Sequence, residues 1–265
     1  GVGVISVDGK YAQLQPNKNG LYDLKVFAIG NGVDNDADAI ESALNLSKVS
    51  GNGIFIPKGT YLASGLSYNW QGGELRLVGE NPDSCKIKGA GLITIDTANV
   101  YLEKVQFTDS PNNYSFRYND ASLPITGDTL NRTVTIKECK FVNVERAFSL
   151  FENTDNYLNP FSVNVIDNEI DSVGVGGFMF RGYLINSHFV NNRFNGIQDR
   201  STYSFCINVG DTDNRISRNI NISGNKFNNI LGEESSSSEI TYIIISYGQS
   251  NVMYGNQFYN CRRGL

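Results

Sequence analysis

A short apolar motif that recurs six times along the chain constrains its fold more than any single residue does. Each copy has an anchor residue, with an apolar residue five positions earlier and a small or apolar residue three positions later. The anchors are separated by 34, 29, 24, 33 and 31 residues, and they are Phe107, Phe141, Ile170, Phe194, Phe227 and Phe258. A fixed motif with variable gaps is typical of a solenoid, whose coils stack in register while loop insertions are absorbed at one turn.

Apolar and polar residues alternate within the copies, as in the segment VTIKECKF at 134–141. A period of two indicates strands and not helices. Strands that return in the same direction once per repeat must pair in parallel with the strands of the next coil. We therefore predict an all-β fold, namely a right-handed single-stranded parallel β-helix.

An asparagine stands two positions before each of the last four anchors, at Asn168, Asn192, Asn225 and Asn256. A sharp bend between two strands needs a residue that tolerates left-handed dihedrals and can hydrogen-bond locally. Amides that are stacked on one another can also pair from coil to coil. We predict that these asparagines provide the left-handed bend and form a ladder along it.

The bulk composition excludes several classes of protein. With 265 residues, of which 40% are hydrophobic, the chain can bury the core of one all-β domain. Its net charge of −5 argues against nucleic-acid binding. No run of about 20 apolar residues is present, so we expect no membrane insertion. The four cysteines lack metal-site spacing, and we expect no disulfide, metal or cofactor.

The two ends of the predicted solenoid differ. The segment 36–47 has apolar residues at helical spacing, with Asp36 as its N-cap, and we expect a helix that covers the amino-terminal end. Helix capping explains Asp34, Asp36 and Asp38 better than a calcium loop, which would need a glycine at Ala39 and a glutamate at Asn45. Only four residues follow Cys261, so we expect a truncated chain or a covering partner at that end. The predicted division is a lead-in at 1–22, the helix and first coil at 23–62, and further coils at 63–265.

The segment 23–62 contains a Gly-rich turn into a helix followed by the strand IFIPKGTYL. It resembles the opening of the pectate-lyase-3-like β-helix superfamily. The matching residues are Gly30, Gly32, Val33, Asp36, Ala39, Ile40, Ile56, Pro57, Gly59, Thr60 and Tyr61. Asn31 and Asn35 replace acidic residues of the family pattern. Similar proteins include bacteriophage tailspikes and capsule depolymerases, as well as pectinolytic enzymes. The resemblance to the tailspike branch implies a homotrimer along the helix axis and a location in the virion tail or outside the cell.

The same resemblance suggests where a substrate would bind. In pectate-lyase-like helices the asparagine ladder marks the bend between the second and third sheets, and the next strand belongs to the first sheet, whose outer face and loops form a cleft. Here those strands would begin at Ala147, Gly177, Tyr203 and Tyr242. Alternation predicts an outward row, in register on successive coils, of Phe151, Arg181, Asn208 and Ser246.

Acidic residues follow two of these strands. Hydrolysis of a glycosidic bond needs two carboxylates about 5 to 9.5 Å apart, and neighbouring coils lie about 4.8 Å apart. We predict Glu152 with Asp211 or Asp213 as the catalytic pair. Arg181 lies between them, where it could bind an acidic sugar or lower the pKa of one carboxylate. The alternative is that these acids only solvate loops.

Further substrate-binding candidates surround the predicted face: Asp155, Asp199, Arg200, Tyr203 and Asn208. Aromatic rings stack on sugars, and Tyr203 and Trp70 lie in loop-like stretches. Glu169 and Asp171, two residues apart on one strand, could also act in catalysis, but Lys140 and Arg193 occupy the column of Glu169 on adjacent coils, and this pattern indicates a charge ladder. The single histidine, His188, should point outward because its neighbour Phe189 points inward.

The most specific function that the sequence supports is that of a tailspike-like glycoside hydrolase acting on a capsular or O-antigen polysaccharide. One alternative is a lyase that cleaves a uronic-acid polymer by β-elimination with Arg181 or His188 as the base. The other is an adhesin or structural shaft without catalysis. Fold does not decide among these functions.

Overall fold

A computed structural model describes most of the chain. The described residues are 4–7, 10–89, 93–96, 99–119, 132–151, 161–181, 183–197, 203–209, 217–230, 240–246 and 248–261. Apart from an antiparallel hairpin of Val4–Val7 and Lys10–Gln13, every strand pairing between named strands is parallel and joins one coil to the next. The predicted right-handed parallel β-helix is therefore confirmed.

Three sheets run along the helix, and they are called A, B and C here. Sheet A corresponds to the predicted second sheet and contains nine strands: Leu21–Asp23, Gly53–Ile56, Glu74–Gly79, Asn99–Glu103, Arg132–Lys137, Phe161–Ile166, Ile185–Val190, Arg218–Ser223 and Val252–Tyr254.

Sheet B corresponds to the predicted third sheet. Its strands are Asn31–Asn35, Gly59–Leu62, Cys85–Lys88, the first part of Gln106–Asn119, the first part of Lys140–Phe151, Glu169–Asp171, Arg193–Asn195, Lys226–Asn228 and Gln257–Tyr259. Sheet C corresponds to the predicted first sheet. Its strands are Tyr68–Gln71, Ile93–Asp96, the second parts of the two long strands, Gly176–Arg181, Tyr203–Val209 and Ile240–Ser246.

A short 3-10 helix at Leu24–Val26 and an α-helix at Ala37–Ser50 interrupt the first coil. The α-helix buries the predicted face of Ile40, Ala43, Leu44 and Ser47, so that prediction is confirmed. Ile40 and Leu44 belong to the same apolar cluster as residues of the first coils, so the helix closes the amino-terminal end of the core.

Asp36 is the N-cap residue of the α-helix, as predicted, and its carbonyl accepts the first intrahelical bond from Ile40, but its side chain makes no capping hydrogen bond. Its backbone, at φ −92° and ψ 7°, lacks the extended conformation typical of an N-cap residue. The carboxylate instead turns back to the preceding loop, where it accepts hydrogen bonds from the backbone N–H of Ile29 (2.8 Å) and Gly30 (3.2 Å). Asn35 accepts the bond from the first helical N–H, that of Ala37, at 3.3 Å.

The six anchors of the repeat lie in register on successive strands of sheet B, as predicted. Phe107 stacks on Phe141 with ring centroids 5.4 Å apart, and Phe227 stacks on Phe194 at 5.0 Å. The stack ends at Phe258, which is 43% exposed, whereas Phe194 and Phe227 are fully buried.

The predicted asparagine ladder is confirmed. The Oδ1 atom of Asn192 accepts from both the backbone N–H (3.0 Å) and the Nδ2 (2.9 Å) of Asn168. Asn225 Oδ1 receives the same two bonds from Asn192 at 2.9 and 3.0 Å, and Asn256 continues the row. Each Nδ2 also donates to a carbonyl of the preceding coil, so these buried amides are well satisfied.

The left-handed residue of the bend is not the asparagine, which corrects the prediction. The residue immediately before the column has positive φ on six consecutive coils: Lys104, Glu138, Asp167, Asn191, Gly224 and Gly255. The bend and the ladder therefore use adjacent positions. The first turns the backbone, and the second supplies an amide to the interior.

Three of the cysteines are buried in the core as small apolar residues. Burial raises the pKa of Cys139 to about 12, and burial also raises the pKa of Cys206 well above its ordinary value. Cys85 is buried as well, whereas Cys261 is partly exposed, and all four are free thiols.

We expect a thiol reagent to modify only Cys261 in the native protein, because a protonated, buried thiol is a poor nucleophile. Mass spectrometry after timed labelling, with denatured protein as the control that modifies all four cysteines, measures this. Fast native modification of Cys139 would contradict its burial.

Candidate functional site

The sheet that the sequence singled out for substrate binding exists as predicted. The second part of Lys140–Phe151, then Gly176–Arg181, Tyr203–Val209 and Ile240–Ser246 are successive neighbours in sheet C. Parallel strands end at the same edge of a sheet, so the chain leaves these strands on one side of the coil stack.

The predicted outward row is only partly in register. Phe151 pairs with Arg181, as expected. Asn208 instead pairs with Met179 and Ile245, while Ser246 pairs with Val209. The expected row of Arg181, Asn208 and Ser246 on one column is therefore wrong. Ser246 lies in the column of the fully buried Val209, so its predicted outward position is wrong as well.

The strand Tyr203–Val209 is shifted by two residues, so that Phe205 lies opposite Gly176 and not opposite Phe178. A Cβ atom at Gly176 would lie 2.6 Å from the Phe205 ring, so only glycine leaves room for the ring there. The guanidinium of Arg146 lies over the same ring, 5.8 Å from its centroid. Alternation determines which face a side chain takes, but it does not distinguish registers that differ by two residues.

Most of the predicted acidic and basic site residues lie outside the described residues: Glu152, Asp155, Asp199, Arg200, Asp211 and Asp213. Their assignments stay predictions. The backbones of Arg181 and Tyr203 are described, at the end and the start of their strands. Glu152 directly follows Phe151, and Asp211 follows Val209 by two residues. The strand that ends in Arg181 lies between those two strands.

The outward column of sheet C is closed to solvent over three coils. Ser149, Met179 and Asn208 are in register and are 0%, 3% and 9% exposed. Asn69, in the same column near the amino-terminal end, is exposed. Within the described part of the chain, Ser149 Oγ and Asn208 Oδ1 have no hydrogen-bond partner. A buried polar atom without a partner costs about 1 to 3 kcal/mol, so both atoms are suited to a water or ligand group.

Trp70 is not a surface aromatic residue, which corrects the prediction. It lies in the strand Tyr68–Gln71, is 1% exposed and donates its Nε1–H to the Gly72 carbonyl at 2.9 Å. The glycine and polar residues around Trp70 resemble a loop because its strand is short and lies between tight turns.

The predicted charge ladder on sheet B is present. Glu169 is in register with Lys140 on one side and Arg193 on the other. Lys140 Nζ lies 2.9 Å from Glu169 and 2.6 Å from Asp83. The hydrogen bond from Lys140 lowers the pKa of Asp83, and the bonds to Asp83 and Glu169 raise the pKa of Lys140. Lys226 continues this column beyond Arg193. It occupies the position directly before an anchor, which is the sequence signal that would have found it.

His188 is exposed on sheet A, as predicted. It lies in register between Asn164 and Asn221. Among the described residues, no group of three or more histidine, cysteine or acidic side chains could hold a metal ion. None of the helices in the described ranges is long and apolar enough to cross a bilayer.

No protein-family model matches the chain, and no curated protein matches it by sequence. Several solved structures match the chain at low identity. The likeness to PfbA, a surface adhesin of Streptococcus pneumoniae, covers 91% of this chain and 92% of that one, with 12% identity and a TM-score of 0.34. The ORF18 protein of Geobacillus virus E2 has 16% identity and a TM-score of 0.34, over 98% of this chain and 55% of its own.

The catalytic unit of a GH87 α-1,3-glucanase from Streptomyces thermodiastaticus matches over 96% of this chain and 70% of its own, with 10% identity and a TM-score of 0.24. None of these likenesses carries an argument about activity. Membership of the pectate-lyase-3-like superfamily stays a prediction.

Proposed function

We propose that the protein binds and cleaves a bacterial surface polysaccharide as a glycoside hydrolase, with Glu152 and Asp211 or Asp213 as the two carboxylates. The observation that carries this proposal is the strand order in sheet C. The strand that ends in Phe151, just before Glu152, is separated from the strand that ends in Val209 by a single strand. Two coils span about 9.6 Å, near the upper limit for a catalytic pair.

This spacing favours an inverting hydrolase. In such enzymes one carboxylic acid protonates the leaving oxygen, while the other carboxylate activates a water that attacks from the opposite face of the sugar. The water needs the wider separation, because a carboxylate that attacks directly must lie nearer. Arg181, at the end of the intervening strand, would bind an anionic sugar or favour ionisation of the carboxylate that acts as the base.

The outward column of sheet C is buried over three coils. We therefore place the substrate groove along the strand ends and not across the face of the sheet. Ser149 and Met179 are closed to solvent, so a sugar chain that lies flat on the sheet would not reach them. Residues that follow the strands are better placed to contact it. Asn208, predicted to bind substrate, is buried in the same column, although its Oδ1 lacks a partner within the described part of the chain.

As part of the same proposal, the protein is a tailspike-like component of a virion tail or another extracellular structure, and it acts as a homotrimer or other homo-oligomer. Analytical ultracentrifugation tests the oligomeric state directly. A monomer at micromolar concentration would remove this part of the proposal and leave the hydrolase part intact.

The decisive experiment incubates the protein with purified capsular polysaccharide and measures both new reducing ends and the absorbance of unsaturated uronates. Reducing ends without that absorbance indicate hydrolysis. Both signals together indicate elimination, and binding without either indicates an adhesin. Proton NMR of the first product should show an inverted anomeric configuration, and retention would contradict the two-coil pair.

We expect Glu152→Gln and Asp211→Asn each to lower turnover by a factor of about 100 or more, because each removes a group that transfers a proton in the transition state. If Asp213 is the partner, Asp213→Asn gives the loss in place of Asp211→Asn. Glu80→Gln, which changes an exposed acid of the first coils in the same way, is the matched control and should retain full activity. Unchanged cleavage by Glu152→Gln would refute the assignment.

A further inference from the structure

One column of sheet B concentrates positive charge on a chain whose net charge is −5. The column consists of the residues directly before the inward residues of successive strands: Lys86, Gln106, Lys140, Glu169, Arg193, Lys226 and Gln257. It holds four cationic side chains and one carboxylate. The side chains point outward, because their neighbours Phe141, Phe194 and Phe227 are fully buried.

The cations of this column are not equivalent. Lys140 is neutralised by Asp83 and Glu169, at 2.6 and 2.9 Å. Arg193 and Lys226, called the cation pair here, are both exposed, and within the described part of the chain neither forms an ion pair. Glu169 lies in register on one side of Arg193, but its Oε2 is bonded to Lys140.

The cation pair is unfavourable for the protein alone. Its residues are directly opposite on strands about 4.8 Å apart, and like charges in this position destabilise a sheet. An anionic group bound between the two side chains would turn this repulsion into two attractions. A guanidinium and an ammonium together suit a carboxylate, which accepts several charge-assisted hydrogen bonds.

Uncharged amides surround the cation pair. Asn195 and Asn228 lie two residues further along the same strands and on the same face. The side chain of Asn228 has no hydrogen-bond partner among the described residues, so both its donor and its acceptor are available to a hydroxyl group. The cations can bind a carboxylate, and the neighbouring amide can bind hydroxyl groups. An acidic sugar carries both kinds of group. A nucleic acid would need a broader basic surface than two side chains on a chain of pI about 5.0.

We infer that the cation pair and Asn228 form a binding site for a carboxylate-bearing polysaccharide on the outer face of sheet B. The inference goes beyond the proposed hydrolase, because the site lies on a different sheet and its binding needs no turnover.

The test measures binding of the full chain to polygalacturonate, with dextran as the uncharged polymer and dextran sulfate as the sulfated one. Calorimetry at low and at moderate salt gives the affinities. We expect the protein to bind polygalacturonate and not to bind dextran. Its affinity for polygalacturonate should fall as the salt concentration rises. The double variant Arg193→Gln with Lys226→Gln should bind about tenfold more weakly or worse, while its thermal midpoint stays equal or rises.

Lys137→Gln is the matched control, because it removes a cation on sheet A that Glu103 and Glu138 already neutralise. It should keep its affinity for polygalacturonate within a factor of about two. Equal loss of binding in this control would mean that only overall charge matters, and this would overturn the site.

Unchanged binding by the double variant, equal binding of dextran, or tighter binding of duplex DNA than of polygalacturonate would each overturn the inference. Preference for dextran sulfate over polygalacturonate would reject the carboxylate and assign the site to sulfated sugars. All variants are also measured in a Glu152→Gln background, so that cleavage cannot alter the ligand. If that background still cleaves, the proposed hydrolase pair fails while the binding result stands.

Discussion

Replacing Asn192 by alanine should lower the free energy of unfolding by about 3 to 5 kcal/mol, since it leaves buried polar groups unpaired. The side chain of Asn192 is fully buried and takes part in four hydrogen bonds, with Asn168, Val165 and Asn225. Its loss leaves the backbone N–H of Asn168 without an acceptor in a region that excludes water. Urea denaturation followed by circular dichroism measures the change.

The control for this variant is Asn195→Ala, which removes an amide of a second ladder at the surface. Asn195 bonds to Asp171 and Asn229 at 3.2 and 3.4 Å, and water can replace both bonds. We expect a loss below about 1 kcal/mol. Similar losses for the two variants would show that burial does not set the strength of the ladders.

Phe194→Ala should cost about 3 to 5 kcal/mol as well, through a cavity in the centre of the coil stack. The Phe194 ring is fully buried, stacks on Phe227 at 5.0 Å and meets the edge of Phe178 at 6.1 Å. The core is closed by neighbouring coils on both sides, so it can collapse only partly around the missing ring.

Phe258→Ala provides the matched control, because it truncates the same residue type in the same column. Phe258 stacks on Phe227 at 5.1 Å but is 43% exposed. Its loss should cost only about 1 to 2 kcal/mol. The fluorescence of the single Trp70, which lies near the amino-terminal end, shows whether the coils unfold together or in stages. Equal costs for the two variants would contradict the packing described for the inward column.

The fold can be predicted from the sequence because each position of the repeat has the same structural role on successive coils. The anchors are apolar at fixed spacing, and each lies in register with the next. The asparagine column could be identified because a buried amide must be paired on every coil, which restricts the residue type. The left-handed position beside it was harder to identify, since Lys104, Glu138 and Asp167 occupy it as well as glycine.

The register in sheet C could not be predicted from alternation. Loops of different length precede each strand. The two-residue shift of Tyr203–Val209 leaves every side chain on its predicted face, whereas the one-residue shift of Ile240–Ser246 exchanges the faces of that strand. Phe205 matched Phe178 in residue type, whereas the structure sets it against Gly176 for reasons of space. The hydrogen-bond partners of Asp36 could not be predicted from the sequence either. Its position fits an N-cap, but two loop amides compete for its carboxylate.

The candidate site was predicted from loop composition, and six of its residues lie outside the described part of the chain. The strands that carry those loops are arranged as the sequence indicated. The sequence pattern identifies only half of the cation pair. Arg193 belongs to the charge ladder with Glu169, whereas Lys226 at the equivalent position has no acidic neighbour in the column.

The asparagine ladder has a direction, because Asn168, Asn192 and Asn225 each donate their Nδ2 to the Oδ1 of the asparagine on the following coil. Any coil that carries the same residue can therefore be inserted without a mismatch at its upper or lower boundary. Duplicating the 33 residues from Asn192 to Gly224 would lengthen the molecule by one such unit, about 4.8 Å, and repeat its surface chemistry. Evolution can thus adjust the length of the protein by copying segments of its gene, without redesigning its interior.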